Sequence, residues 1–306
     1  MQLHVNDQVK LSKSRYYKNL ATGVHDMPFN PRLAWQYVKL IAKGETAHHN
    51  VAVNMAMKME DGSLARNPEE NLEIMHPHFN HVLNNKKQVD FTVLEHVAKR
   101  KVMHFLDEDI TLSKLKKAVT NMKTHKAPGL NEVPPEAFKS MDNECLEHVL
   151  KYLNKFWNQE ADFESWHRSQ LMPVPKSGDL SDPNKWRCIM LMDVMSKVFS
   201  CIMNARAFKI LDKHGTKFQF GGTPNLGCAD GLFTLKTALS LRMNHNLPTF
   251  AGFADLVKAY DTADHKLLIK VLEQYGAPPK FCSAVERMYM DLTVVIKLGK
   301  SIAEIP

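Results

Sequence analysis

Two short extended segments, set among helical patterns, restrict the fold of this chain more than any other feature. Residues 170–175 and 186–191 each have the length and apolar content of a strand, and the connection between them is rich in turn-forming residues. This arrangement predicts a β-hairpin whose tip carries basic side chains. Apolar residues on both sides of the hairpin recur at helical spacing, so we predict an α+β fold.

The net charge of the chain indicates the kind of partner it binds, and its cysteines indicate the cellular compartment. Forty lysines and arginines against 33 acidic residues give a formal charge of +7, which favours a polyanionic partner. The five cysteines are scattered and form no Cys-x-x-Cys pair, so we expect a reducing intracellular compartment, either nucleus or cytoplasm. No stretch approaches the roughly 18 apolar residues of a membrane helix, and we expect no membrane partner.

A basic segment extends from residue 96 to residue 126. It holds eight lysines and arginines against three acidic residues. Leu112, Leu115, Val119 and Met122 form an apolar stripe at helical spacing, which places the lysines on the opposite, wet face of a helix. That face is either an ordinary solvated surface or a contact surface for phosphates. The sequence Lys-Ala-Pro-Gly at residues 126–129 then predicts a rigid loop.

A single carboxylate stands in a short apolar segment near the end of the chain. Residues 250–257 have the pattern of a strand that contains Asp255, and they continue into Lys-Ala-Tyr-Asp and a helix. A charged residue where a strand opens into a helix is a common catalytic placement. We therefore treat Asp255 as a candidate functional residue, although a strand-end aspartate bound to backbone donors is the ordinary structural alternative.

Five blocks of the sequence resemble, in the same order, the non-LTR (LINE-type) reverse transcriptases. That family shows a Lys-Ala-Pro-Gly loop, a hairpin with Trp/Tyr-Arg-Pro-Ile, a Gln-x-Gly-Phe block followed by Gly-Cys, and the motif Phe-x-x-Asp-Leu-x-Lys-Ala-Phe/Tyr-Asp. A Tyr-Gly-Ala-Pro block completes the set. The matching residues here are 126–129, 186–189, 219–221 with 227–228, 253–261 and 270–278. The resemblance covers roughly residues 103–306.

Three departures and one absence distinguish this chain from the family pattern. Leu-Asn-Glu at residues 130–132 replaces Pro-Asp-Gly, Cys188 replaces proline, and Gly-Thr at residues 222–223 stands where Phe-Arg is common. The next blocks of the family, Gly-x-x-Gln-Gly and Tyr/Phe-x-Asp-Asp, do not occur, and the sequence holds no Asp-Asp pair. We therefore expect the N-terminal part of a reverse-transcriptase domain, cut off before the catalytic centre is complete.

The resemblance implies a reverse-transcriptase-like architecture, with the fingers and a partial palm of a right-hand polymerase behind a mainly helical lead-in. Residues 1–95 correspond to a helical linker upstream of the polymerase domain. Residues 96–225 correspond to the fingers. Residues 226–306 correspond to the start of the palm, which ends before the second metal-binding motif.

The resemblance also implies a two-metal nucleotidyl-transfer site, in which converging carboxylates hold Mg²⁺. Asp255 matches the catalytic, metal-binding aspartate of the family. The hairpin residues Arg187 and Lys176 match side chains that clamp the β- and γ-phosphates of a deoxynucleoside triphosphate. Tyr260 matches the aromatic residue that packs beneath the incoming sugar, and Leu256 is assigned to the same nucleotide site.

Template and primer contacts are implied for Gln219, Gly221 and Lys126. Each assigned residue also has an ordinary structural explanation. Arg187 and Lys176 can be exposed and unpaired, Tyr260 can be a half-buried core residue, and Gly221 can be a loop glycine with positive φ. The resemblance favours the functional assignment without excluding these alternatives.

Two functions of different classes follow from these assignments. One is a fragment of an RNA-directed DNA polymerase, inactive because its metal site is incomplete, with an RNA template, a DNA primer and deoxynucleoside triphosphates as partners. The other is a nucleic-acid-binding remnant that grips RNA or primer-template without catalysis. A helical interaction protein with accidental motif matches is a third possibility, and the order of five blocks argues against it.

Overall fold

A computed structural model of the chain describes residues 56–59, 61–84, 89–256, 259–260 and 262–306. The described residues belong to one unit of contacts, which covers residues 55–306. The described residues do not include residues 1–55, which are most of the predicted lead-in (residues 1–95). They also do not include Lys258 and Asp261 of the motif at residues 253–261.

Helices and strands are both present among the described residues. The helices are α1 (Pro68–Asn84), α2 (Leu112–Asn121), α3 (Pro135–Lys139), α4 (Asn143–Trp157), α5 (Val194–His214), α6 (Cys228–Asn244), α7 (His265–Gln274) and α8 (Pro279–Met288). Short 3-10 helices lie at Phe91–His96, His104–Asp107, Glu164–Trp166 and Pro183–Lys185. The strands are β1 (Arg168–Pro175), β2 (Trp186–Leu191), β3 (Thr293–Leu298) and β4 (Ser301–Ile305).

The four strands form one mixed sheet in the order β2-β1-β3-β4. The predicted hairpin is confirmed, because β1 and β2 pair antiparallel from Pro175 opposite Trp186 to Gln170 opposite Leu191. Strand β3 joins the other edge of β1 in parallel and turns back into β4. The alternation of Val294, Ile296 and Leu298 predicts the strand β3, but it predicts neither the pairing of β3 with β1 nor the presence of β4.

Helix α1 covers one face of this sheet. Its Leu72, Met75 and Phe79 are buried, as their shared helical face predicted, and the helix packs against β3 and β4. The paired residues Leu171 and Ile296 are fully buried on the sheet. Apolar contact between a helix and one face of a sheet therefore forms one part of the core.

A second part of the core lies among α2, α4, α5 and α8, and we call it the helical cluster. Phe156 of α4 is at its centre, where its ring centroid lies 4.6 Å from that of Trp166 and 5.0 Å from that of Phe199. Leu115 of α2 and Phe281 of α8 are also buried in it. Large aromatic rings in edge and tilted contact give this region most of its packing.

A buried arginine crosses the helical cluster. Arg206 of α5 is 5% exposed and donates to the carbonyl oxygens of Leu106 at 2.8 Å and Glu108 at 2.7 Å. Its guanidinium carbon lies 4.3 Å from the centroid of a Trp157 ring. The charge is therefore held by main-chain acceptors and by an aromatic face. The spacing of Val198, Cys201, Ile202 and Ala205 predicts one inward face of α5, but Cys201 and Ala205 are exposed in the structure.

Residues 216–256, which we call the arm, contain no buried residue. Helix α6 forms where the spacing of Leu232, Leu235 and Leu239 predicted a helix, but its apolar side chains remain largely exposed. The strand expected at residues 250–257 is absent from the described part, because residues 249–256 have no regular structure. A strand requires hydrogen bonds to a neighbour, and none of the four described strands pairs with this segment.

Within the residues that the structure describes, no helix is both long enough and apolar enough to span a membrane.

Candidate nucleic-acid interface

The loop after α2, residues 123–132, is fixed against the end of the hairpin, and we call it the Lys126 loop. Gly129 is buried in it. A Cβ atom at this position would lie 2.7 Å from the carbonyl carbon and oxygen of Met192 and 2.8 Å from the amide nitrogen of Asp193. Only glycine permits this approach of two main chains. The glycine of the Lys-Ala-Pro-Gly block therefore fits a packing requirement of this fold.

Side-chain hydrogen bonds complete the attachment of the Lys126 loop. Asn131 Nδ2 donates to Asp193 Oδ2 at 2.7 Å, and Asp193 Oδ1 accepts from the Met195 amide at 2.8 Å as the N-cap of α5. Asn131 Oδ1 also accepts from the Val133 amide. An aspartate directly before the apolar pattern that begins at Val194 predicts an N-cap, and the structure confirms it. The bond of Asp193 to Asn131 was not predicted.

The turn in the Lys126 loop holds a residue in an unfavourable conformation. Glu132 has a φ of 58°, in the left-handed region, and its amide donates to the Gly129 carbonyl at 3.1 Å. Glycine adopts this conformation without steric cost. The family places glycine at this position, so the Leu-Asn-Glu departure leaves local backbone strain in the turn.

Lysines surround the end of α2 and the Lys126 loop. Lys117, Lys123 and Lys126 are exposed, and none is in an ion pair with any residue that the structure describes. Lys139 donates from Nζ to the Thr120 carbonyl at 3.0 Å, which brings it to the last turn of α2. We call these four residues the lysine surface. Unpaired lysines on one surface suit the phosphates of a polyanion.

One acidic side chain that interacts with the charge of Lys139 is bound by the main chain. Glu136 Oε1 accepts from the His125 amide at 2.5 Å, and this bond holds the pKa of Glu136 below its usual value. The carboxylate is therefore ionised at neutral pH, and one of its two oxygens already accepts a main-chain hydrogen bond. It reduces the local positive charge by one without forming an ion pair with Lys117, Lys123 or Lys126.

The tip of the hairpin has a smaller excess of positive charge than the sequence suggested. Arg187 is exposed on β2, and Lys176 is half-buried with its Nζ donating to the Asn184 carbonyl at 3.2 Å. Lys185 adds a third cation. Asp179 and Asp182 offset two of these charges, and hydrogen bonds within the turn hold the pKa of each carboxyl below its usual value.

The remaining candidate residues lie on or beside the arm and do not form a site there. Gln219 Nε2 donates to the Gly221 carbonyl at 2.8 Å, so these two residues have a local structural role in a loop. Asp255, Leu256 and Tyr260 are exposed, and Tyr260 is 96% exposed. No described hydrogen bond, ion pair or ring contact joins Asp255 or Tyr260 to the hairpin or to the Lys126 loop.

The described residues do not fit a Mg²⁺ site. Mg²⁺ requires near-octahedral ligation by oxygens, with several ligands converging. Within the described part of the chain, no group of three or more histidine, cysteine, aspartate or glutamate side chains could hold a metal ion. Asp255 therefore belongs to no such group among these residues.

A depression of about 370 Å³ lies between the Lys126 loop and the sheet. Arg168, Asp193 and Glu304 are the charged residues that line it, with apolar walls from Leu130 and Ile302. Arg168 is ion-paired with Glu304, so the lining has no free positive charge. This depression therefore does not suit a phosphate group, in contrast to the lysine surface.

The chain is similar to proteins of non-LTR retrotransposons. It is 25% identical over 197 residues, 64% of this chain, to the transposon TX1 uncharacterized 149 kDa protein of Xenopus laevis, and the match covers 15% of that protein. It is 24% identical over 134 residues, 44% of this chain, to the retrovirus-related Pol polyprotein from type-1 retrotransposable element R2 of Popillia japonica, covering 19% of it. The matches thus span less than a fifth of either relative. No protein-family model matches the chain.

Proposed function

We propose that this chain is a portion of the RNA-directed DNA polymerase of a non-LTR retrotransposon, and that its described part binds an RNA template and a DNA primer. The observation that carries the proposal is the lysine surface. Lys117, Lys123 and Lys126 are free of ion pairs within the described part. Lys117 lies in α2, and Lys123 and Lys126 lie on the loop that packs against the base of the hairpin. The retrotransposon relatives support the choice of nucleic acid as the polyanion.

The metal-ligating side chains of the described residues favour a binding function over a catalytic one. Asp255 is exposed and alone among the described residues, whereas two-metal transfer needs several converging carboxylates. In the proposal, Arg187 and Lys176 bind the phosphates of the triphosphate, and Leu256 and Tyr260 contact the rest of the incoming nucleotide. These roles require the Asp255 segment to be paired with further strands, as in a complete polymerase. Without such pairing, the chain binds primer-template and does not extend it.

The proposal predicts binding that depends steeply on salt. Each phosphate contact by a lysine adds about 0.9 to the slope of log affinity against log salt concentration on duplex DNA. We would measure fluorescence anisotropy of a labelled primer-template with the wild-type chain and with the triple variant Lys117→Ala, Lys123→Ala, Lys126→Ala. The slope should fall by about 2 to 3 in this variant.

A matched control removes the same charge elsewhere. The triple variant Lys236→Ala, Lys297→Ala, Lys300→Ala also loses three exposed lysines. Its slope should stay near that of the wild-type chain. A salt-independent affinity, or an equal loss of slope in both triple variants, would overturn the proposal that the lysine surface contacts phosphates.

A further inference from the structure

One carboxylate ties the Lys126 loop to the junction between the hairpin and α5. The two oxygens of Asp193 have different tasks, because Oδ1 accepts from the Met195 amide and caps α5, while Oδ2 accepts from Asn131 Nδ2. Asp193 follows β2 by two residues, since β2 ends at Leu191. The side chain of Asp193 therefore joins a helix to a loop, at a point two residues beyond the end of a strand.

The position of the loop is narrowly determined. Asp193 is 8% exposed, so water does not readily replace a bond that it loses. Gly129 lies against the Met192–Asp193 peptide with no room for a Cβ atom, which prevents the loop from moving closer. Asn131 Oδ1 is itself bound to the Val133 amide, which fixes the orientation of the amide group.

We propose that Asp193 is a positioning residue for nucleic-acid binding, which holds the Lys126 loop on the base of the hairpin so that Lys126 has a fixed position relative to the hairpin. This inference rests on the proposed function. Asp193 is buried and does not contact the ligand directly, and it sets the position from which Lys126 contacts the nucleic acid. A ligand that spans the hairpin and the loop then meets cations at a fixed spacing, without a cost for ordering the loop.

The chemistry of the Asn131–Asp193 pair provides a test by exchange of the two residues. In Asp193→Asn, either orientation of the new amide loses one bond, because its nitrogen faces the Asn131 nitrogen or the Met195 amide. In Asn131→Asp, two carboxylates face each other. The double exchange Asn131→Asp with Asp193→Asn restores all three bonds, and the donor and acceptor are reversed only in the bond between the two side chains.

Two measurements on these variants distinguish an effect on the position of the loop from an effect on nucleic-acid binding. Amide hydrogen exchange at Val133 and Met195 reports the attachment of the loop and the cap of α5. The salt slope of primer-template binding reports the contact made by Lys126. Each single variant should exchange faster at one or both amides and lose about 0.9 of slope, equal to one phosphate contact. The double exchange should return both readings to the wild-type values.

Each outcome is decisive. Single variants that bind with the wild-type slope, or a double exchange that restores amide protection but not the slope, would overturn the positioning role while leaving the proposed function intact. Failure of the wild-type chain to bind primer-template would overturn the proposed function and this role together. Amide exchange that is unchanged in the single variants would contradict the attachment of the loop by Asp193.

Discussion

Helix α4 of the helical cluster and helix α6 of the arm both contain many apolar residues, but apolar side chains are buried only in α4. Phe156 of α4 is fully buried among aromatic rings, whereas Phe233 of α6 is 72% exposed. Both helices show apolar residues at helical spacing. The difference teaches that spacing predicts a helix and an apolar face, but burial requires a second element that supplies a complementary face. Within the described part of the chain, the arm has no such element.

The largest expected difference between the two regions is the cost of removing a phenylalanine ring. Phe156→Ala should lower the free energy of unfolding by about 3–5 kcal/mol, because the ring leaves a cavity in a close-packed core. Phe233→Ala should change it by less than about 0.5 kcal/mol. Chemical denaturation monitored by circular dichroism measures both. A comparable loss in Phe233→Ala would show that the arm is packed in solution.

A second pair of variants compares two arginines. Arg206→Met should cost about 1–3 kcal/mol, because the carbonyls of Leu106 and Glu108 then lose their donor in a buried site. Arg242 in the arm donates to Thr249 and Pro248 in an exposed site, so Arg242→Met should cost less than about 0.5 kcal/mol. Equal costs in the same denaturation experiment would contradict the buried position of Arg206.

Local patterns in the sequence predicted local structure well. The hairpin follows from two strand-like segments joined by a short turn-rich connection, and the helices α1, α2 and α4 follow from apolar spacing. The parallel pairing of β1 with β3 could not be predicted, because nothing near Arg168 in the sequence specifies a partner at Thr293. The apolar run at residues 250–257 was misinterpreted as a strand for a related reason, since its pairing depends on a neighbour.

The candidate site was predicted in part. The sequence identified the Lys126 loop and the cap by Asp193, but the bond from Asn131 to Asp193 joins residues 62 positions apart. Arg206 was also missed, because arginine on a helix is ordinarily expected to face water. In both cases a polar residue is buried with partners that only the fold brings near. Asp255 was assigned by resemblance alone, and its role stays a prediction.

A smaller effect is expected in the strained turn of the Lys126 loop. Glu132→Gly should raise the free energy of unfolding by about 0.5–1 kcal/mol, because glycine adopts the positive φ without strain and the entropy cost offsets only part of the gain. Glu132→Ala removes the carboxylate and keeps the strain, so it serves as the control and should show no gain. A gain of the same size in both variants would assign the effect to charge.

The smallest expected effect is a change with pH at the cap of α4. Asp142 accepts from the Cys145 amide at 2.8 Å, and this bond lowers the pKa of the carboxyl. Its stabilisation is therefore complete above the usual aspartate pKa and is lost as the pH falls through the lowered value. Asp142→Asn keeps the cap without titrating. Its unfolding free energy should depend less on pH below about pH 5 than that of the wild-type chain. Identical acid profiles would contradict the cap.

The most direct test of the account is one primer-extension experiment that reports binding and synthesis in the same samples. A labelled DNA primer on an RNA template is incubated with Mg²⁺, all four deoxynucleoside triphosphates, and either the wild-type chain or Asp255→Ala. Native gels then report binding, and denaturing gels report extension. We expect both proteins to retard the primer-template equally and neither to extend the primer, because one carboxylate cannot hold two divalent ions. Extension by the wild-type chain that is abolished in Asp255→Ala would contradict it.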